Sequence, residues 1–189
     1  INAYNFMDGI NGITGGYSLV IAGALWYVNK NIVSFADEKL IIILILSLLV
    51  FNFFNFRKKA KCFAGDVGAT SVAFILIFLI GQLIIKTDDF SYLVLLAVYG
   101  VDAVLTIIHR IRLKEPLMEA HRKHMYQIMA NELKIPHIVV SLIYMAVQAV
   151  IIGGYFLVSN HYLYFAVVIV VLMVVYLVFM KKYFHLHKA

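Results

Sequence analysis

Three short polar segments in an otherwise apolar chain carry residue types suited to phosphate chemistry. The first reads Asn2-Ala3-Tyr4-Asn5-Phe6-Met7-Asp8-Gly9-Ile10-Asn11-Gly12. On a helix, Asn2, Asn5 and Asp8 stand three apart and share one face. Such a face could read a polar ring through paired donors and acceptors, or hold a metal-bound water. It could equally be a helix mouth capped by Asn and Asp. The second reads Lys58-Lys59-Ala60-Lys61-Cys62-Phe63-Ala64-Gly65-Asp66-Val67-Gly68-Ala69 and leads into an apolar run. Asp66 could cap the helix that follows, or hold Mg²⁺ while Gly65 and the helix N-terminus face phosphate. No Gly-Lys-Ser/Thr follows the glycines, so this is not a Walker A loop. Phe63 could stack on a base or anchor at the membrane interface. The third reads Ala120-His121-Arg122-Lys123-His124-Met125-Tyr126-Gln127. The two histidines are three apart, unlike the zinc-protease pair with its i, i+4 spacing. Arg122 offers bidentate contacts to phosphate and imidazole adds a donor. The competing reading is a basic loop on lipid headgroups.

The elements that must position these segments are membrane helices. The 189 residues are 63% hydrophobic, with a mean hydropathy of +0.93. Soluble domains run at about 45–50% apolar. A span needs about 20 apolar residues, and six stretches qualify: 12–28, 40–56, 68–85, 92–108, 138–158 and 162–180. Backbone groups in lipid must be satisfied internally, so an all-α polytopic bundle is expected, as one transmembrane domain over 1–189. The formal charge of +6 does not indicate nucleic acid, because the basic residues sit in short loops. Arg57, Lys58, Lys59, Lys61, Arg110, Arg112, Lys114, Arg122, Lys123, Lys134, Lys181, Lys182 and Lys188 fall in one set of alternate loops. Only Lys30, Lys39 and Lys86 fall in the other. This asymmetry places the first set, and the residues before the first span, in the cytoplasm. All three polar segments then face one compartment. Asp102, inside an apolar run with Thr106 one turn on, should face protein and have a partner. His185 and His187 read as an ordinary interfacial tail. Cys62 is the sole cysteine, so no intrachain disulfide can form. The chain begins at Ile1, and upstream sequence is expected.

Together the three segments resemble the polyprenyl-phosphate N-acetylhexosamine-1-phosphate transferases, the family 4 type enzymes that start lipid-linked cell-wall, O-antigen and capsule glycans. Residues 2–12 are similar to the family's Asn-x-x-Asn-x-x-Asp-Gly-x-x-Gly segment. Phe54-Asn55 with 62–69 is similar to its Phe-Asn … Phe-Met-Gly-Asp-x-Gly-Ser loop, and 120–127 to its histidine-containing loop. Ala64 and Ala69 replace the family's usual Met and Ser. The last loop has His121-Arg122-x-His124-x-Tyr126-Gln127, a variant resembling members that load N-acetylated deoxyhexose phosphates. The resemblance implies a fold of ten or eleven helices, of which this chain would be the C-terminal part. It implies transfer of an N-acetylhexosamine-1-phosphate from a UDP-N-acetylhexosamine to undecaprenyl phosphate, with Mg²⁺ (Mn²⁺ as the alternative) and release of UMP. It also implies a site facing the cytoplasm in a bacterial inner membrane, with membrane lipid as a partner and a homodimer allowed. Asp8, Asp66 and His124 would be catalytic, with Asp66 on the metal. Asn2, Asn5, Asn55, Phe63, Gly65, His121 and Arg122 would bind substrate. A UDP-GlcNAc-specific member, a transporter and a non-catalytic assembly subunit are the rival readings.

Overall fold

The computed structural model describes residues 1–116 and 122–186. Among these residues the structure is helical without strands: α1 (Asn2–Phe6), α2 (Ile13–Asn31), α3 (Glu38–Asn55), α4 (Gly65–Thr87), a 3₁₀ segment (Phe90–Leu96) continuing into α5 (Ala97–Arg112), α6 (Met125–Asn131), α7 (His137–Leu157) and α8 (His161–Tyr183). Side chains start several helices where the sequence changes from polar to apolar. Asp37 accepts the Lys39 N–H ahead of α3, and Asn160 accepts the Leu163 N–H ahead of α8.

Among the described residues, five helical stretches are long and apolar enough to cross a membrane: Glu38–Asn55, Gly65–Thr87, Phe90–Arg112, His137–Leu157 and His161–Leu186. The chain is thus a multi-pass membrane protein in its architecture. The sixth expected span, α2, forms at 19 residues but carries too many small and polar residues to join that set. It lies against α3 and α7, with one side of nearly every turn buried. Close approach is part of the reason. A Cβ on Gly16 would stand 2.4 Å from the Met145 sulfur, so any other residue there would have to displace the Met145 side chain of α7.

Gln148 and its neighbours show how polar groups inside the bundle find partners, as hydrocarbon requires. Gln148 Oε1 accepts from the Tyr17 hydroxyl (2.6 Å) and the Val98 N–H (3.3 Å), and its Nε2 donates to Val94 O (3.0 Å). Tyr17 and Tyr99 stack at 3.7 Å, and Tyr99 donates to Ile13 O. This buried ladder fixes α2, α5 and α7 against one another.

The chain reversals fall into two groups. At one end Asn11 touches Arg57 and Lys58, Tyr126 touches Phe6, and His109 packs on Phe184. At the other end Trp26 donates to Glu38, and Asp89 faces His161 and Tyr155. The first end carries the basic loops and all three polar segments.

Candidate active site

The N-terminal segment is not the continuous helix its spacing predicts. α1 stops at Phe6 with Met7 as its C-cap, so Asp8 stands in the turn beyond it rather than on the stripe of Asn2 and Asn5. Tyr126 explains the break. Its hydroxyl donates to Phe6 O (2.9 Å) and lies where a Cβ on Gly9 would be, 2.3 Å away. The chain therefore has to pass Tyr126 as bare backbone. Released from the helix, Asp8 turns toward α4. Its Oδ1 accepts from the Thr14 hydroxyl (2.6 Å), and the Gly65 N–H adds a second bond. Burial raises the Asp8 pKa, the two hydrogen bonds oppose that shift, and the charge of Asp66 adds to it.

Asp66 is the second residue of α4 and is exposed. The N-cap position belongs to Ala64, so Asp66 is not the helix cap. A carboxylate in the first turn is favoured by the unsatisfied N–H groups there. Asp8 and Asp66, some sixty residues apart in sequence, are thus brought near enough for the charge of Asp66 to be felt at Asp8. Among the described residues no group of three His, Cys, Asp or Glu could hold a metal. The pair still suits Mg²⁺, which commonly takes one or two carboxylates and leaves its other positions to water and phosphate. Repulsion within the pair is the feature a divalent cation relieves.

Backbone-directed amides hold the two carboxylates in register. Asn55 is 5% exposed; its Oδ1 accepts the Gly12 N–H (2.7 Å) and its Nδ2 donates to Cys62 O (2.8 Å). It therefore fastens the Asp8 segment to the Asp66 loop rather than presenting its amide to a ligand. Asn11 does the same through Nδ2, which donates to Arg57 O (2.9 Å) and Lys58 O (3.3 Å). Ser141 of α7 donates to Asn11 O. Thr14, Asn11 and Tyr126 thus join the candidate site, although their spacing along the chain points to no role in it. No periodicity marks them, because each acts on a partner from another segment.

The histidine-containing segment lies beside the first two. His124 is 1% exposed, with Nδ1 3.4 Å from Asp102 Oδ1 and its ring stacked near Phe6 and Tyr126. It faces inward to α5, while Arg122 is exposed at the surface. His121 lies outside the described residues. Asn2 is exposed, Asn5 half-buried, and Phe63 is 73% exposed at the edge of the carboxylate pair's loop. An apolar groove of about 430 Å³ between α2, α3 and α4 runs from this rim, with Thr14, Phe63, Ala64 and Gly68 at its polar end and Leu40 and Ile43 toward the other.

Residues 1–84 match the family described as Glycosyl transferase family 4. The chain is 29% identical over 129 residues to the "Probable undecaprenyl-phosphate N-acetylglucosaminyl 1-phosphate transferase" of Bacillus subtilis (strain 168). That match covers 66% of this chain and 36% of the relative, so the chain spans about a third of the relative's length. No solved structure matches it.

Proposed function

We propose that the chain, whose residues 1–84 match glycosyl transferase family 4, forms part of a membrane enzyme of that family transferring an N-acetylated hexosamine-1-phosphate from a UDP-sugar to undecaprenyl phosphate. The observation that carries this reading is that Thr14, which holds the Asp8 carboxylate within reach of the Asp66 charge, also lines an apolar groove. A diphosphate needs the carboxylate pair and its cation, and a polyprenyl tail needs the groove. The basic end of the bundle would face the cytoplasm of a bacterial inner membrane, where nucleotide sugars are made. The last loop's likeness to deoxyhexose-loading members favours an N-acetylated 6-deoxy sugar, with UDP-GlcNAc as the alternative donor.

In this mechanism an oxygen of the lipid phosphate attacks the sugar-linked phosphorus in line. The bond from that phosphorus to the oxygen bridging to UMP breaks, and UMP leaves with the electron pair. No covalent enzyme intermediate is needed. A bound Mg²⁺ would neutralise charge on the diphosphate and on the departing UMP. Asp66 would hold the ion, and Asp8, oriented by Thr14 and Gly65, would complete its setting. Phe63 would stack on the uracil, with Asn5 and Asn2 along the nucleotide side. Arg122 would take phosphate, with His121 in the same loop. The groove would hold the acceptor so that its phosphate meets the donor at one depth, which converts a bimolecular encounter into a positioned one.

The test is UMP release by the full-length protein given undecaprenyl phosphate, Mg²⁺ and a panel of UDP-N-acetylhexosamines. Asp66→Asn should reduce the rate by at least about 100-fold. Unchanged UMP release in that variant would remove Asp66 from the metal, and sugar flux across proteoliposomes without UMP would identify a transporter.

A further inference from the structure

Asp102 is a carboxylate deep in the bundle, 2% exposed, in the only acidic position along α5. Its surroundings are more elaborate than a single helix–helix contact. Oδ1 accepts the Met125 N–H (3.0 Å) and the Thr106 hydroxyl (3.2 Å), and faces His124 Nδ1 at 3.4 Å. Oδ2 accepts the Tyr144 hydroxyl at 2.7 Å. Tyr176 of α8 reaches the same group through Thr106 (2.9 Å). Four elements thus converge on one buried anion, at a depth where a carboxylate costs about 2.5–3.5 kcal/mol on insertion scales. A helix–helix contact alone could be made by a neutral residue at lower cost.

The group that turns this anion toward the candidate site is His124. Asp102 accepts from Met125, Thr106 and Tyr144, so the imidazole nitrogen 3.4 Å away faces an acceptor and is best satisfied carrying the proton. The Met125 N–H bonded to the same oxygen starts α6, whose second residue is Tyr126. Tyr126 in turn sits on Gly9 and bonds Phe6 O, on either side of Asp8. A continuous set of contacts therefore runs from Asp102 through His124 and α6 to the segment that carries Asp8.

We infer that Asp102 is a positioning residue of the transferase site: its carboxylate fixes the His124 ring with Nδ1–H inward and seats α6, so that Tyr126 holds the Asp8 segment in place. This rests on the proposed transferase reading for its catalytic consequence, but not for its structural content. Asp102 itself would touch neither nucleotide nor lipid phosphate.

Two readouts on the full-length protein test it. The first is the ¹H–¹⁵N signal of the histidine side chains in uniformly labelled protein, with His124 identified by its loss in His124→Asn. The native protein should show a proton on His124 Nδ1, strongly downfield because the acceptor is charged. In Asp102→Asn the retained amide oxygen can still accept, so the fold is kept while that resonance moves upfield. The second is kinetic. Asp102→Asn should lower kcat for UMP release by about 10- to 100-fold with little change in KM for the UDP-sugar, since only the placement of Asp8 is disturbed. An unprotonated His124 Nδ1 in the native protein overturns the inference, and this result needs no activity. An unmoved resonance or an unchanged kcat in a folded Asp102→Asn also overturns it. Should the native protein release no UMP from any UDP-sugar, the transferase reading fails, and the histidine spectrum still decides whether Asp102 fixes His124.

Discussion

Asn55→Ala is the sharpest test of how the carboxylate pair is held. The native amide fills two backbone vacancies at once: the Gly12 N–H, fully buried, and Cys62 O, partly buried. Truncation strands both. A buried N–H without a partner costs about 1–3 kcal/mol, and a partly wetted carbonyl closer to the net value of one hydrogen bond, about 0.5–1.5 kcal/mol. The two together give a loss of about 2–4 kcal/mol, large against the 5–15 kcal/mol typical of folded domains. The functional effect should exceed what stability alone predicts. Gly12 follows Asp8 by four residues and Cys62 precedes Asp66 by four, so the amide sets the spacing of the two acids. A shift of about 1 Å at a reacting centre can cost about 100-fold in rate. The assay is unfolding of the full-length protein in mixed micelles, with UMP release titrated against Mg²⁺. Asn55→Ala should lose stability, require more Mg²⁺ for half-maximal rate and turn over about 10- to 100-fold more slowly. Asn55→Asp keeps the acceptor for Gly12 and should fall between. Native stability and a native Mg²⁺ midpoint in Asn55→Ala would refute the fastening role.

Gly9→Ala should push the Tyr126 ring aside and break its bond to Phe6 O; expected is loss of most UMP release with the helix content by circular dichroism unchanged. Because the Asp8 pKa is raised, chiefly by burial with Asp66 adding to it, protons compete with the cation there. The apparent Mg²⁺ affinity should therefore strengthen as pH rises through that raised value and level off above it, and a pH-independent midpoint from the ordinary carboxylate range to neutrality would contradict the pair. At the opposite end Asp89 is held below the usual carboxylate range: burial acts against this, but the Ser91 hydroxyl and N–H and His161 outweigh it. Its contribution to stability should be present above the ordinary value of about 4 and be lost as pH falls through the lower folded value. Asp89→Asn should therefore narrow the stability difference between pH 6 and pH 3, measured by urea unfolding in micelles.

Much of this molecule is legible along the chain. The five spans emerge because about 20 apolar residues in a row can only be satisfied as helix in lipid, and the starts and stops fall within a few residues of where the polar residues lie. The distribution of Lys and Arg marks which ends belong together, and the described basic loops do lie at one end of the bundle. The likeness to a family is also a property of short contiguous strings. Helical spacing misleads at Asp8, because the i, i+3 rule presupposes a helix that Tyr126, more than a hundred residues away, interrupts. The span reading of α2 falters for a related reason: its small residues serve contact with α3 and α7 rather than with lipid.

The pairing of Asp8 with Asp66, the use of Asn55 as a fastener and the burial of His124 against Asp102 were decided by the tertiary structure alone. A sequence states which groups a chain owns and how far apart they are along it. Whether an amide faces a ligand or a backbone carbonyl, and whether two acids repel or ignore each other, depends on distances of a few ångströms between segments. Those distances are set only when the helices pack.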